Sequence, residues 1–176
     1  MGGHGLYYFR YPYLFTKFLK DDLAAPENSY SEAKRTEIAQ YANAIYYNDY
    51  IVSSLIEKFA DKNALVVYLP DHGEAVYDND SNMSGHVEEH PNRYMLEVPL
   101  IIYGSPAWRA AHPEKWQQIC VAVQRSYMTD DMIHTLLDLF DIRTPEYDAS
   151  KSLVNAAFKV HRTRIVQGMD YDRIMK

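Results

Sequence analysis

Disulfides within this chain are excluded, because its 176 residues include one cysteine, Cys120. Val121, Ala122 and Val123 follow it, so the expectation is a buried, inert thiol. One cysteine does not fix the compartment. No apolar run approaches the roughly 20 residues that span a bilayer. Met1-Gly2-Gly3-His4-Gly5 has neither the basic nor the apolar stretch of a secretion signal. The chain itself is therefore expected to be soluble, whatever a longer parent protein does. A basic excess is also lacking: 18 Lys and Arg stand against 24 Asp and Glu, a net charge of −6. That balance speaks against nucleic acid as a partner and suits a site that recruits cations. There is no Gly-x-Ser-x-Gly elbow, no phosphate loop, no dinucleotide fingerprint, no repeat and no interdomain linker.

What is present reads as a globular domain or a large piece of one, 47% hydrophobic and 24% charged. Residues 1–31 are irregular and aromatic, with Tyr7, Tyr8, Phe9, Tyr11, Tyr13, Phe15 and Phe18 expected to serve packing. Ile38, Tyr41, Ala42, Ile45, Val52, Leu55, Ile56 and Phe59 recur at helical spacing and predict one long helix over 32–60. Asn43, Asn48 and Asp49 punctuate it and read as solvated positions or helix-end contacts. Ala64–Leu69 is a continuous apolar run that suits a strand buried on both faces. Residues 75–96 read as a polar loop, and Val98–Tyr103 as a second buried strand closed by Gly104-Ser105-Pro106. Helices are expected over 113–126 and Thr129–Phe140, the latter capped by Thr129 with Asp130 and Asp131 in its first turn. Ser152–Phe158 and Arg164–Gly168 read as short strands or a hairpin. This order suggests a layered α/β fold with helices on a mainly parallel sheet. Gly2-Gly3-His4-Gly5 reads as the end of a strand-to-loop turn.

Asp71-His72-Gly73-Glu74 carries the strongest chemistry. It follows a predicted buried strand, where α/β enzymes place ligands. A carboxylate and an imidazole side by side can both point at one divalent cation, and zinc takes oxygen and nitrogen donors together. Gly73 lets the backbone turn behind them. Gly85-His86 lies within reach of a returning loop, and His4 sits between two glycines that would allow close backbone approach. His90, followed by Pro91, has no supporting pattern. His112, His134 and His161 read as structural.

Taken together, these segments resemble the phosphoethanolamine transferases that modify lipid A and lipopolysaccharide core, within the sulfatase and alkaline-phosphatase superfamily. Met1-Gly2-Gly3-His4-Gly5, then Tyr7-Tyr8 and Arg10-Tyr11-Pro12, looks like that family's M-G-S-H-G … R-Y-P segment. Tyr41-Ala42-Asn43-Ala44-Ile45-Tyr46-Tyr47-Asn48-Asp49 is similar to its Y-x-N-A-I-x-Y-x-D helix. Pro70-Asp71-His72-Gly73-Glu74 is similar to S-D-H-G-E with proline for serine. Gly85-His86, Val98-Pro99-Leu100-Ile101 and Thr135-Leu136-Leu137-Asp138-Leu139 follow in the family's order.

The resemblance implies an alkaline-phosphatase/sulfatase-like layered α/β fold, with residues 1–176 as the C-terminal portion of a sulfatase-type catalytic domain whose N-terminal part is missing. It implies zinc, as one or two divalent metals. Asp71 and His72 would be ligands of the tightly held ion; His4 and His86 would serve a second metal or the substrate phosphate. Phosphatidylethanolamine would be the donor, and lipid A or a core sugar the acceptor. The parent would sit in the inner membrane with a periplasmic catalytic domain. The family's nucleophile is a threonine upstream of the His4 segment, so this chain has no catalytic residue of its own and the isolated chain is expected to be inactive. The single cysteine departs from the several disulfides of well-known members. A truncated sheet would expose an edge through which copies could self-associate. Two other readings stay open: a sulfatase or phosphodiesterase-type hydrolase of the same superfamily, and a non-catalytic metal-binding remnant.

Overall fold

The structure, a computed structural model, describes residues 4–24, 26–78 and 82–174. The expectations on Gly2 and Gly3, and on Asp80 in the polar loop, lie outside the described residues. The elements run in the order α1 (Glu32–Phe59), β1 (Leu65–Tyr68), β2 (Ala75–Val76), β3 (Ser84–Gly85), α2 (Arg93–Leu96), β4 (Ile101–Gly104), α3 (Pro106–Ala111), α4 (Pro113–Ala122), α5 (Met132–Leu139), β5 (Ile165–Val166), β6 (Met169–Asp170) and α6 (Tyr171–Ile174). Short 3-10 turns stand at Tyr7–Arg10, Tyr13–Phe15, Glu27–Ser29, Thr129–Asp131 and Ala149–Lys151. The chain divides into two compact units, one of residues 1–58 and 68–101, the other of 59–67 and 102–176. No helix among the described residues is long and apolar enough to cross a membrane.

In the first unit α1 matches the predicted helix within a residue at each end. Its buried face includes Ala39, Asn43 and Ala44. Asn43 is not a solvated position: its Oδ1 accepts from the Lys17 and Phe18 amides at 2.7 and 2.8 Å, and its Nδ2 donates to the Phe18 carbonyl at 2.9 Å. A single amide thus supplies the hydrogen bonds that an irregular aromatic segment cannot make for itself. Phe15 packs edge-on to Tyr47 at 4.6 Å, which bears out packing as the role of that ring. Residues 75–96 hold more structure than a polar loop: β2 and β3 form an antiparallel hairpin with Ala75 opposite Gly85 and Val76 opposite Ser84. Asn92 caps α2, accepting from the Tyr94 and Met95 amides.

The second unit holds most of β1 and β4, which are neighbours in a two-stranded sheet although they are far apart in sequence. All four β1 residues are only half-buried, where burial on both faces was expected, because β4 is the one strand paired with it among the described residues. The expected helix over 113–126 is α4, which stops at Ala122, and a further helix, α3, precedes it. Ser105 starts α3, with Pro106 at its opening position. The Ser105 hydroxyl is fully buried, accepts from the Trp108 and Ala64 amides at 3.1 and 3.2 Å, and donates to the Lys62 carbonyl at 2.5 Å. Ser105→Ala is therefore expected to cost about 2 kcal/mol. A lower midpoint of chemical denaturation would show it, and an unchanged midpoint would contradict the cap.

Three further expectations are corrected in this unit. Cys120 is exposed, because helical spacing turns Ile119 and Ala122 inward and leaves Cys120 outward. Thr129 opens a 3-10 turn and caps nothing with its side chain, and Asp131 is a buried acid paired with Arg162 and Lys151. Residues 152–158 make turns, whereas β5 and β6 form the antiparallel hairpin near the end of the chain. His134 accepts from the Asp148 amide at 3.2 Å, and His112 packs on Trp108 at 4.9 Å, both structural roles.

Candidate metal centre

The site lies wholly in the first unit. After β1 the chain passes Leu69-Pro70 and bends at Asp71. Gly73 then passes so close to α2 that a Cβ on it would meet the Tyr94 carbonyl oxygen at 2.1 Å. Its amide donates to the Met95 carbonyl at 2.8 Å. This contact fixes the direction in which His72 and Glu74 leave the backbone.

The hairpin brings in the next ligand. Ala75 pairs with Gly85, so Glu74 and His86 occupy the adjoining positions across the two strands. Gly85 has φ +105°, a conformation that L side chains rarely adopt, and this turn delivers His86 beside Glu74. His86 Nδ1 lies 2.9 Å from Glu74 Oε1. His4 arrives from the N-terminal segment, where Arg10 Nε donates to the His4 and Gly5 carbonyls at 2.9 and 3.1 Å.

Three imidazoles thus surround one buried carboxylate. His4 Nδ1 and His72 Nδ1 stand 3.6 and 3.9 Å from Glu74 Oε1. The His72 and His86 rings are 3.8 Å apart, and the His4 ring lies 5.9 and 5.3 Å from them. Donor atoms of His4, Glu74 and His86 all fall within 4.8 Å of one another, close enough to share one ion. The other Glu74 oxygen, Oε2, accepts from the Tyr7 hydroxyl at 2.9 Å. Buried carboxylates need such partners.

Asp71 stands apart from this cluster. It is exposed, and its Oδ1 accepts from the His72 amide at 3.2 Å. Hydrogen bonding to its own backbone amide, with the nearby His72, holds its carboxyl below the usual carboxylate range, so it remains an anion. Asp71, His72, His4 and Glu74 share the wall of a cavity of about 710 Å³. Of the four residues singled out in the sequence, His4, His72 and His86 converge on Glu74, and Asp71 lies on the same cavity wall. His90 is exposed and belongs to no ligand group among the described residues.

The donor set fits zinc in its second partners as well. His72 Nδ1 lies 2.8 Å from the Gly73 carbonyl oxygen, which can only accept. Nδ1 must therefore carry the proton, and in the neutral ring Nε2 keeps a lone pair. The same logic holds for His86 against the Glu74 carboxylate. An imidazole held at one nitrogen by a carbonyl or carboxylate, with the other nitrogen free to bind, is the usual arrangement of a zinc-ligating histidine.

Phosphoethanolamine transferase EptC of Escherichia coli (strain K12) is 36% identical to this chain over 162 residues, which cover 90% of this chain and 27% of that protein. The crystal structure of the C-terminal periplasmic domain of EcEptC from Escherichia coli matches with a TM-score of 0.87 at 35% identity, over 98% of this chain and 50% of that one. The structure of that domain in complex with zinc gives a TM-score of 0.83 at 32% identity, over 98% and 50%. This likeness bears out the expected alkaline-phosphatase/sulfatase-like α/β fold. The chain spans about a quarter of the curated relative's length. The Sulfatase family matches residues 1–142, most of the 176, and the chain belongs to it.

Proposed function

We propose that this chain carries the metal-binding face of a zinc-dependent phosphoethanolamine transferase, one that moves phosphoethanolamine from phosphatidylethanolamine to lipid A or a lipopolysaccharide core sugar on the periplasmic side of the inner membrane. The observation that carries the reading is the pairing of His72 with the Gly73 carbonyl and of His86 with Glu74, each leaving Nε2 as a donor. Asp71 and His72 would hold zinc, with His4 and His86 beside them for a second ion or for the phosphate oxygens. Bound zinc would act as a Lewis acid that offsets negative charge on a transferring phosphoryl group. Asp71 supplies a standing negative charge, His72 and His86 supply fixed nitrogen donors, and the cavity gives room for a phosphodiester. The resemblance assigns the nucleophile to a threonine N-terminal to the His4 segment of that family. We further propose that copies can pair along the edges of the β1–β4 sheet that carry no neighbouring strand among the described residues, which sedimentation at rising concentration would reveal.

Zinc titration of the chain tests the metal reading. Free zinc at about 100 times its Kd would stabilise the chain by roughly 2.7 kcal/mol. For a chain of this size that raises Tm by about 5–11 °C. The zinc-loaded chain should then shift the 31P resonance of O-phosphoethanolamine, and His86→Ala should abolish the shift. An unchanged Tm would contradict the zinc site; a shift that survives His86→Ala would contradict the role given to that residue.

A further inference from the structure

We infer that Tyr7 and Glu74 are positioning residues: the Tyr7 hydroxyl fixes the Glu74 carboxylate, and that carboxylate holds His86 with its Nδ1 protonated and its Nε2 left to bind. The inference rests on the zinc reading proposed above and extends it to two residues that the Asp71-His72 motif does not account for.

Each link is geometric. Tyr7 is 2% exposed, the largest of the side chains that are almost wholly buried. Its ring stands edge-on to Tyr41 at 5.1 Å and 68°, so the hydroxyl cannot swing to solvent. Arg10 anchors the backbone just before it through the His4 and Gly5 carbonyls. Leu6, with φ 57°, makes the turn that points Tyr7 inward. Burial above all, reinforced by Glu74, pushes the phenol well above its ordinary range. Tyr7 therefore remains a donor throughout the physiological range.

Glu74 is 8% exposed and has two oxygens to satisfy. Oε2 takes the Tyr7 hydroxyl and Oε1 takes His86 Nδ1, each at 2.9 Å. His4 and His72 are too far from Oε1 for hydrogen bonds, at 3.6 and 3.9 Å. Each oxygen already accepts one hydrogen bond, so the inference gives Glu74 the part of acting through His86, although it lies within ligand distance of His4 and His86. Loss of the Tyr7 hydroxyl would leave one carboxylate oxygen buried without its donor and free the group to rotate about its last bond.

The test uses the metal-free 176-residue chain, 15N-labelled, at pH 8. Long-range 1H–15N correlations of the histidine rings should show His86 as the neutral Nδ1–H tautomer. Glu74→Gln should mix the two tautomers, because a side-chain amide can also donate to Nδ1. Tyr7→Phe, which keeps the ring and so the packing, should shift the balance less. Zn2+ alone is then titrated against a competing chelator. Glu74→Gln should weaken binding by about 10–100-fold. Tyr7→Phe should weaken it by about 3–10-fold, and the double variant should be no weaker than Glu74→Gln alone. An Nε2–H tautomer in the unaltered chain overturns the inference, as do additive losses in the double variant or full affinity in Tyr7→Phe. A Glu74→Gln loss as large as that of His86→Ala would make Glu74 a ligand instead. If the unaltered chain holds no zinc, the proposed function fails, while the tautomer measurement still decides the relay.

Discussion

A chain carrying His72→Ala is expected to hold zinc at least about 100-fold more weakly than the unaltered chain. The expectation follows from the ring's setting. The Gly73 carbonyl accepts a hydrogen bond from Nδ1–H and fixes the ring plane, and Asp71 beside it is held below the usual carboxylate range. Alanine removes the nitrogen and leaves Asp71 without a neighbouring donor from its own turn. His72 is only half-buried, so the change should leave the fold standing, and a preserved thermal transition without metal would confirm that. His90→Ala is the matched control: an exposed histidine nearby in sequence, outside the cluster, whose loss should leave affinity unchanged. Equal losses from the two variants would mean that zinc binds to surface histidines at random.

The largest expected loss of stability comes from Gly73→Ala. A methyl group there would sit 2.1 Å from the Tyr94 carbonyl oxygen, 3.1 Å from its carbon and 3.3 Å from the Glu97 carbonyl oxygen. All three are backbone atoms, so no side chain can rotate out of the way. Either α2 moves, or the turn moves and gives up the 2.8 Å hydrogen bond from Gly73 to Met95. The cost should be about 3 kcal/mol or more. In a chain of this length that lowers Tm by roughly 6–12 °C or more. The same shift displaces His72 and Glu74, so zinc affinity should fall with stability. A Gly73→Ala chain that melts and binds zinc as before would show that the close approach to α2 does not hold the site.

Asp71 and His72 stand out in the sequence because two possible ligand types are adjacent at the end of an apolar run; the structure sets His72 beside Glu74 and leaves Asp71 exposed on the cavity wall. Glu74 belongs to the same tetrapeptide, yet its role was hidden. A glutamate reads as a solvated acid until the hairpin register sets it beside His86 and buries it. Tyr7 was hidden for a different reason: in a cluster of aromatic rings nothing local separates the hydroxyl that donates to a carboxylate from those that only pack. The long helix was plain from its spacing, but Asn43 was misjudged because its partners, Lys17 and Phe18, are about 25 residues away. Ser105-Pro106 did carry a usable signal, since serine before proline is a helix start. The same tripeptide also closes β4 at Gly104, so strand end and helix start coincide there. Cys120 shows the opposite error: apolar neighbours suggested burial, and helical spacing turned it outward. The histidines His4, His72 and His86 are thus visible as candidates in the sequence, whereas the partners that hold them, Glu74 and Tyr7, emerge only from the hairpin register and the packing.

The most direct test of the zinc centre is X-ray absorption at the zinc edge of the chain loaded with one equivalent and dialysed. A first shell of nitrogen and oxygen at about 2.0–2.1 Å, with the outer scattering of at least one imidazole and no sulfur, is the predicted result. Loss of the zinc on dialysis, or a retained ion surrounded by oxygen alone, would contradict it.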